Sequence, residues 1–397
     1  MITMINLLNK NVVGIEMSGI RKIANKVDRS PDIINLTFGQ PNFPTPEYVK
    51  DAGVKAIIEN QNAYTETAGL YELRVAASNY VRENYNLSYR PEDEIIVTTG
   101  ASEALDLAFR TILEEGSEVI LPVPIYPGYE PLIKLCNAVP VYVDTSNSDF
   151  KLTAAQIEEH ITEKTRCVLL PYPSNPLGTI LSEKEVLEIG KVLEDKQIFI
   201  VADEVYSELL YDEKHFSIGS IPNLKEKTII INGLSKSHSM TGWRIGFAFA
   251  PSYLIDQFYK IHSFNSICPS TISQYAAVEA LKQGVYTEEV LAMKNEYKHR
   301  RDLAYIRLKE MGLDVVEPKG AFYIFPSIKS TGLSSMDFAM NLLEQEKVAV
   351  IPGSSFSDYG EGYIRISYAQ SMEDLVKGLD GIERFLHSKR LNNSWNI

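Results

Sequence analysis

The chain has 397 residues, 45% of them hydrophobic, and a formal net charge of −13. That length supports about two domains with ample core, and the acidic balance argues against nucleic acid or an anionic membrane surface as partner. Three scattered cysteines, Cys136, Cys167 and Cys268, have neither metal spacing nor a disulfide framework, so no metal and a reducing, cytoplasmic setting are expected.

In chain order, residues 1–10 have no charged start, long apolar core or cleavage site, and no run approaches a membrane span. Ile95-Ile96-Val97-Thr98-Thr99-Gly100-Ala101-Ser102 reads as strand, glycine turn and helix start, an arrangement whose amides form an anion site. Val123-Pro124-Ile125-Tyr126-Pro127-Gly128-Tyr129 puts aromatics after a strand end, where they could stack on a flat ring. Thr153 with Gln156 and Ser182 with Glu185 read as capping boxes opening two helices. Arg166 to Leu170 is a buried-strand pattern leading to Asn175-Pro176, a turn former or part of a site.

The run Gln197 to Val201 ends in Asp203, with Tyr206 three residues on. A carboxylate at the carboxyl end of a buried strand either caps the next helix or faces a ligand. After the apolar Ile229 to Ile231 comes Ser235-Lys236-Ser237-His238-Ser239-Met240-Thr241-Gly242-Trp243-Arg244. Lys236 taken alone is a solvated charge or an amine that condenses with an aldehyde; pyridoxal phosphate needs such a lysine, an anion opposite its ring nitrogen, and a phosphate cup. Residues 48–285 alternate strands with amphipathic helices, the pattern of a mainly parallel sheet covered on both faces. From about 286 a long charged helix precedes short strands near Ala321 to Phe325, Val348 to Ile351 and Tyr363 to Ile366, then a helix near Leu375 to Leu386. Arg365 lies in the last strand pattern, pointing to solvent or to a ligand.

The order of these parts resembles the class I and II aminotransferases of fold type I along essentially the whole chain. The resemblance rests on Gly39-Gln40-Pro41-Asn42, Tyr64 to Arg74, the Gly100 turn, Tyr126, Asn175-Pro176, Asp203 to Tyr206, Ser235-Lys236, Gly242-Trp243-Arg244 and Tyr363 to Ser367. Within that family the Ser18-Gly19-Ile20-Arg21-Lys22 opening and the Ser235 to Ser239 loop resemble the bacterial N-acetyl-L,L-diaminopimelate aminotransferases.

The resemblance implies an α/β fold with a mainly parallel seven-stranded sheet in a large domain (48–285), and a smaller α+β domain (286–397) joined by an N-terminal arm (1–47). It makes Lys236 the residue that carries pyridoxal 5′-phosphate and shuttles the proton, Asp203 the partner of the ring nitrogen, and Tyr206 and Asn175 the partners of the phenolic oxygen. Tyr126 stacks on the ring, while Gly100, Ala101, Ser102, Ser235 and Arg244 hold the phosphate. Tyr64 reaches that phosphate from the neighbouring subunit of a homodimer with shared sites. Arg365, with Asn175 and the Gly39 amide, takes the α-carboxylate of amino acid or 2-oxo acid. Many relatives have lysine where Ser102 stands, so one route to distal-carboxylate recognition is in doubt here, and Arg21 is a candidate replacement.

The expected reaction passes the amino group of an L-amino acid, N-acetyl-L,L-2,6-diaminopimelate on the narrower resemblance, to 2-oxoglutarate. Aspartate or aromatic aminotransferase and carbon–sulfur β-lyase activity are the alternatives. A dinucleotide dehydrogenase is disfavoured, since no Gly-x-Gly-x-x-Gly turn opens a helix after a strand.

Overall fold

The computed structural model describes residues 4–15 and 32–393; the Ser18 to Lys22 opening, and Arg21 with it, lies outside the described residues. Twelve strands follow in chain order among them: β1 Ile34–Asn35, β2 Ile95–Thr99, β3 Glu118–Val123, β4 Val139–Asp144, β5 Thr165–Leu170, β6 Phe199–Asp203, β7 Thr228–Gly233, β8 Ile245–Phe249, β9 Tyr323–Ile324, β10 Val348–Ala349, β11 Ile351–Pro352 and β12 Ile364–Ser367. Seven of them form one sheet in the order β2-β8-β7-β6-β5-β3-β4. All neighbours run parallel except β8, which is antiparallel to both β2 and β7. The fold is therefore α/β with a mixed, mainly parallel seven-stranded sheet, as the alternating pattern predicts.

The strands are near-continuous apolar runs because both faces are covered. Successive side chains point to opposite faces, so Ile95, Val97, Val168, Ile200 and Ile230 enter one core, while Ile96, Val119, Leu169, Val201 and Ile231 enter another. Both capping boxes form, with Thr153 and Gln156 closing the start of helix Ala154–His160 and Ser182 and Glu185 that of Glu183–Leu193.

A third core gathers around β9, β11 and β12, which form a three-stranded antiparallel sheet. Helix Glu288–Glu310 gives it Met293, Tyr297, Ala304 and Leu308, and helix Met372–Asn393 gives it Leu375, Leu379, Ile382 and Phe385. The predicted strand over Val348 to Ile351 is interrupted at Val350: its first half pairs parallel with β1 and its second with β12. The two halves thereby tie the segment after residue 32 and the strand bearing Arg365 to the same core. Among the described residues no helix is long and apolar enough to cross a membrane.

Candidate active site

The carboxyl ends of β3, β5, β6 and β7 open on one side of the large sheet, where open α/β sheets gather ligands. A cavity of about 480 Å³ lies there, and its charged lining is Asp203, Lys236, Arg244 and Arg365. Gly39, Ala101, Ser102, Tyr126, Asn175, Tyr206 and Ser235 complete the predicted part of the wall. Residues from 39 to 365 thus converge on one space.

β6 ends in Asp203, which is buried. Its Oδ2 accepts from the Tyr129 hydroxyl at 2.7 Å and its Oδ1 from the Val205 amide at 3.2 Å. Burial pushes this carboxyl above its usual range, against those two hydrogen bonds and the attraction of Lys236. A buried carboxylate with only neutral donors in contact is suited to a cationic ligand atom. Lys236 follows β7 and is partly buried, its ammonium donating to the Gly39 carbonyl. Burial, reinforced by the guanidinium groups of Arg365 and Arg244 and partly offset by Asp203, brings that ammonium down to about 8. An amine so placed gains and loses a proton near neutral pH.

The predicted anion site is built by glycines. Gly100, at φ +79°, precedes helix Ala101–Ile112, whose start has no side-chain cap, so the first amides are left for a ligand. A Cβ on Gly100 would lie 2.3 Å from Arg244 Nη2, and one on Gly246 only 2.4 Å from the Ala101 amide nitrogen. Arg244 itself adopts φ +57°, a conformation sparsely populated by side-chain-bearing residues. Its Nη1 donates to the Thr241 carbonyl at 3.0 Å and its Nη2 to the Thr99 carbonyl at 3.4 Å. From the first helical turn the Glu103 carboxylate reaches back to the Thr99 amide. Burial opposes its charge, but hydrogen bonds with His262, Ser266 and that amide hold the Glu103 carboxyl at about 2.

Arg365 lies on β12, between β9 and β11, and is 3% exposed. Nη1 donates to Asn175 Oδ1 at 2.9 Å and Nη2 to the Thr37 carbonyl at 2.6 Å. Its guanidinium stacks over Tyr323 at 4.5 Å and Phe356 at 5.0 Å. Its buried Nε has no hydrogen-bond partner among the described residues. The solvent-facing alternative for Arg365 is excluded.

Tyr64 is not part of this cavity; it is 79% exposed on the same chain. Sequence reasoning missed two phenols and a glycine. Tyr129 was visible only as one aromatic in the Tyr126 run, yet its hydroxyl holds Asp203, and its ring meets Tyr126 edge-on at 5.5 Å. Tyr323 read as an ordinary strand residue but shares a 2.9 Å hydrogen bond with Tyr206 and lines the cavity. Gly246 follows Arg244 by two residues, and no local signal marks its approach to Ala101.

The family profile described as aminotransferase class I and II matches residues 31–382. A probable N-acetyl-LL-diaminopimelate aminotransferase of Bacillus subtilis is 55% identical over 97% of this chain and 97% of its own. An aspartate aminotransferase of Pyrococcus abyssi is 40% identical over 94% of this chain and 97% of its own. Among solved structures, an aromatic aminotransferase from Pyrococcus horikoshii superposes with a TM-score of 0.87 at 38% identity, over 93% of this chain and all of the other.

Proposed function

Since this chain belongs to the class I and II aminotransferases, and is an aminotransferase, we propose that its cavity holds pyridoxal 5′-phosphate and that its amino donor is N-acetyl-L,L-2,6-diaminopimelate, with 2-oxoglutarate as acceptor, in lysine biosynthesis. The observation that carries the cofactor reading is the set of Lys236, Asp203, Arg244 and Arg365 around one cavity, three cations facing one buried carboxylate. Its residues fit that group at both ends. Asp203 is a buried carboxylate in need of a cation, as a protonated ring nitrogen would be, and the uncapped helix start beside Arg244 and Ser235 suits a phosphate. Tyr126 would be the wall for the ring face, and Tyr206 and Asn175 would be the donors for the phenolic oxygen.

When bound, the cofactor supplies an electron sink that makes the substrate's Cα acidic. This chain's residues do the rest. Arg365 binds the α-carboxylate with its free Nε and part of its fork, and Asn175 orients Arg365. Lys236 Nζ, at about 8, takes the proton from Cα and holds it for return. Asp203 would hold the ring nitrogen, whose positive charge would favour the ionised carboxylate against its burial.

Substrate identity rests on the 55% relative, whose match exceeds by a wide margin the 40% of the protein described as an aspartate aminotransferase. The latter keeps aspartate as the second reading. A homodimer with Tyr64 completing the partner's phosphate site agrees with the exposure of Tyr64, and a cytoplasmic location completes the reading. The test is a single-turnover screen of amino acids against cofactor-loaded protein, followed in the visible spectrum. N-acetyl-L,L-diaminopimelate is expected to react fastest; faster reaction with aspartate or phenylalanine would move the assignment to the second reading. Many turnovers of an amino acid per site without any 2-oxo acid would indicate a lyase.

A further inference from the structure

Tyr323 and Tyr206 sit side by side in the cavity wall, both buried, with hydroxyl oxygens 2.9 Å apart. Each phenol has one proton to donate. Tyr323's hydroxyl makes no other hydrogen bond among the described residues, and its ring is fixed: the Arg365 guanidinium lies 4.5 Å above it, and a Cβ on Gly39 would come within 3.2 Å of its oxygen. β9, which carries Tyr323, is paired with β12, which carries Arg365. The groups facing the two phenols are Lys236, Asp203 and Arg365, with the phenols of Tyr126 and Tyr297 further round.

A charged oxygen on a ligand accepts hydrogen bonds and cannot donate one. If Tyr206 is to donate to such an oxygen, its contact with Tyr323 must run the other way, with Tyr323 as donor. We propose that Tyr323 is a positioning residue for this reaction: it donates to the Tyr206 oxygen, so that the Tyr206 proton is free for the phenolic oxygen of the cofactor, and it fixes that donor to the sheet that carries the carboxylate clamp. The inference rests on the reading of the cavity as a pyridoxal-phosphate site. Removing the Tyr323 hydroxyl then weakens the stabilisation of the cofactor's phenolic oxyanion without touching the cofactor.

The experiment is a pH titration of the visible absorbance of cofactor-loaded protein for the parent, Tyr323→Phe, Tyr206→Phe and the double variant. Phenylalanine keeps the ring under Arg365 and removes only the hydroxyl. Because a donor to the phenolic oxygen favours its charged form, the transition is expected to move upward in Tyr323→Phe by about half a unit to one unit, and further in Tyr206→Phe. In the double variant Tyr323→Phe should add nothing to Tyr206→Phe, since it acts through that phenol, and the affinity for a non-reactive dicarboxylate such as succinate should stay within about twofold of the parent. A transition that responds to Tyr206→Phe but not to Tyr323→Phe overturns the inference alone. Equal shifts from Tyr323→Phe in both backgrounds, or a loss of succinate affinity with no spectral shift, overturn it too. Protein that takes up no chromophore overturns the cofactor reading and the inference with it.

Discussion

Replacing Arg365 by lysine separates charge from geometry at the proposed carboxylate clamp. The arginine meets Asn175 at 2.9 Å and the Thr37 carbonyl at 2.6 Å, while its buried Nε has no partner among the described residues. A lysine ammonium is a point charge on a flexible stem, and cannot satisfy both neighbours and still present two parallel donors. One charge-assisted hydrogen bond to the substrate carboxylate, worth about 1.5–3 kcal/mol, is lost. At about 1.4 kcal/mol per decade, kcat/KM for an amino acid should fall roughly 10- to 150-fold. The charge beside Lys236 persists, so the depression of its ammonium, due first to burial and then to Arg365 and Arg244, should persist too. Steady-state kinetics on the cofactor-loaded variant, with an amino acid and with the corresponding amine lacking the carboxylate, make the check. The amino acid should lose its advantage while the amine reacts as before. An equal loss for both, with normal cofactor content, would refute the clamp.

Lys236→Met in the cofactor-free protein should raise stability, because a buried ammonium is replaced by an apolar chain of similar length. Lys236 falls from 10.5 to about 8 on folding, so its charged form is disfavoured in the folded state. The variant's advantage should be full below about pH 8 and vanish as pH rises through 10.5; urea unfolding at pH 7 and pH 10 measures it. Gly246→Ala puts a methyl group 2.4 Å from the Ala101 nitrogen, and the helix start must move. It should cost about 1–3 kcal/mol of stability and weaken binding of inorganic phosphate, read by calorimetry, whereas Gly332→Ala tests only a strained turn. Mixing inactive Lys236→Ala with inactive Tyr64→Ala subunits should restore activity if Tyr64 is donated across a dimer. No recovery, with hybrid dimers shown to form, would make Tyr64 irrelevant to the neighbouring site.

The parts legible in the sequence are those whose chemistry and position are set within a few residues. Asp203 ends an apolar strand, Lys236 follows one, and Gly100 stands between β2 and a helix start, so strand-end logic finds all three. The seven-stranded sheet follows from the same alternation. Tyr129 and Tyr323 were missed because their partners, Asp203 and Tyr206, lie 74 and 117 residues away. A tyrosine in a strand pattern is first of all a good strand former. Arg365 shows a different limit: alternation along a four-residue strand does not tell which face is covered, and only the neighbours β9 and β11 decide that it is buried. Val350 is a third case, since a single apolar run served two pairing partners in different sheets.

The charged groups around the cavity are buried at a cost. Burial disfavours the charged forms of Lys236 and Arg365, the two neighbouring guanidinium groups disfavour that of Lys236 further, Asp203 is pushed toward its neutral form, and the Arg365 Nε has no hydrogen-bond partner among the described residues. Each of these costs has its remedy in a different part of the proposed ligands: a phosphate for Arg244 and the helix start, a protonated ring nitrogen for Asp203, a carboxylate for Arg365. A group that binds only the folded state stabilises it by RT ln(1 + [L]/Kd), about 2.7 kcal/mol at a hundredfold excess over Kd. Binding of the proposed ligands would offset the cost of this charge arrangement. Burial that makes the site electrostatically unfavourable is also the first cause that brings the Lys236 amine down to about 8, the range suited to its proposed exchange of a proton with Cα. The same packing produces both effects, so substitutions that relax the cavity should stabilise the cofactor-free protein and slow proton transfer together.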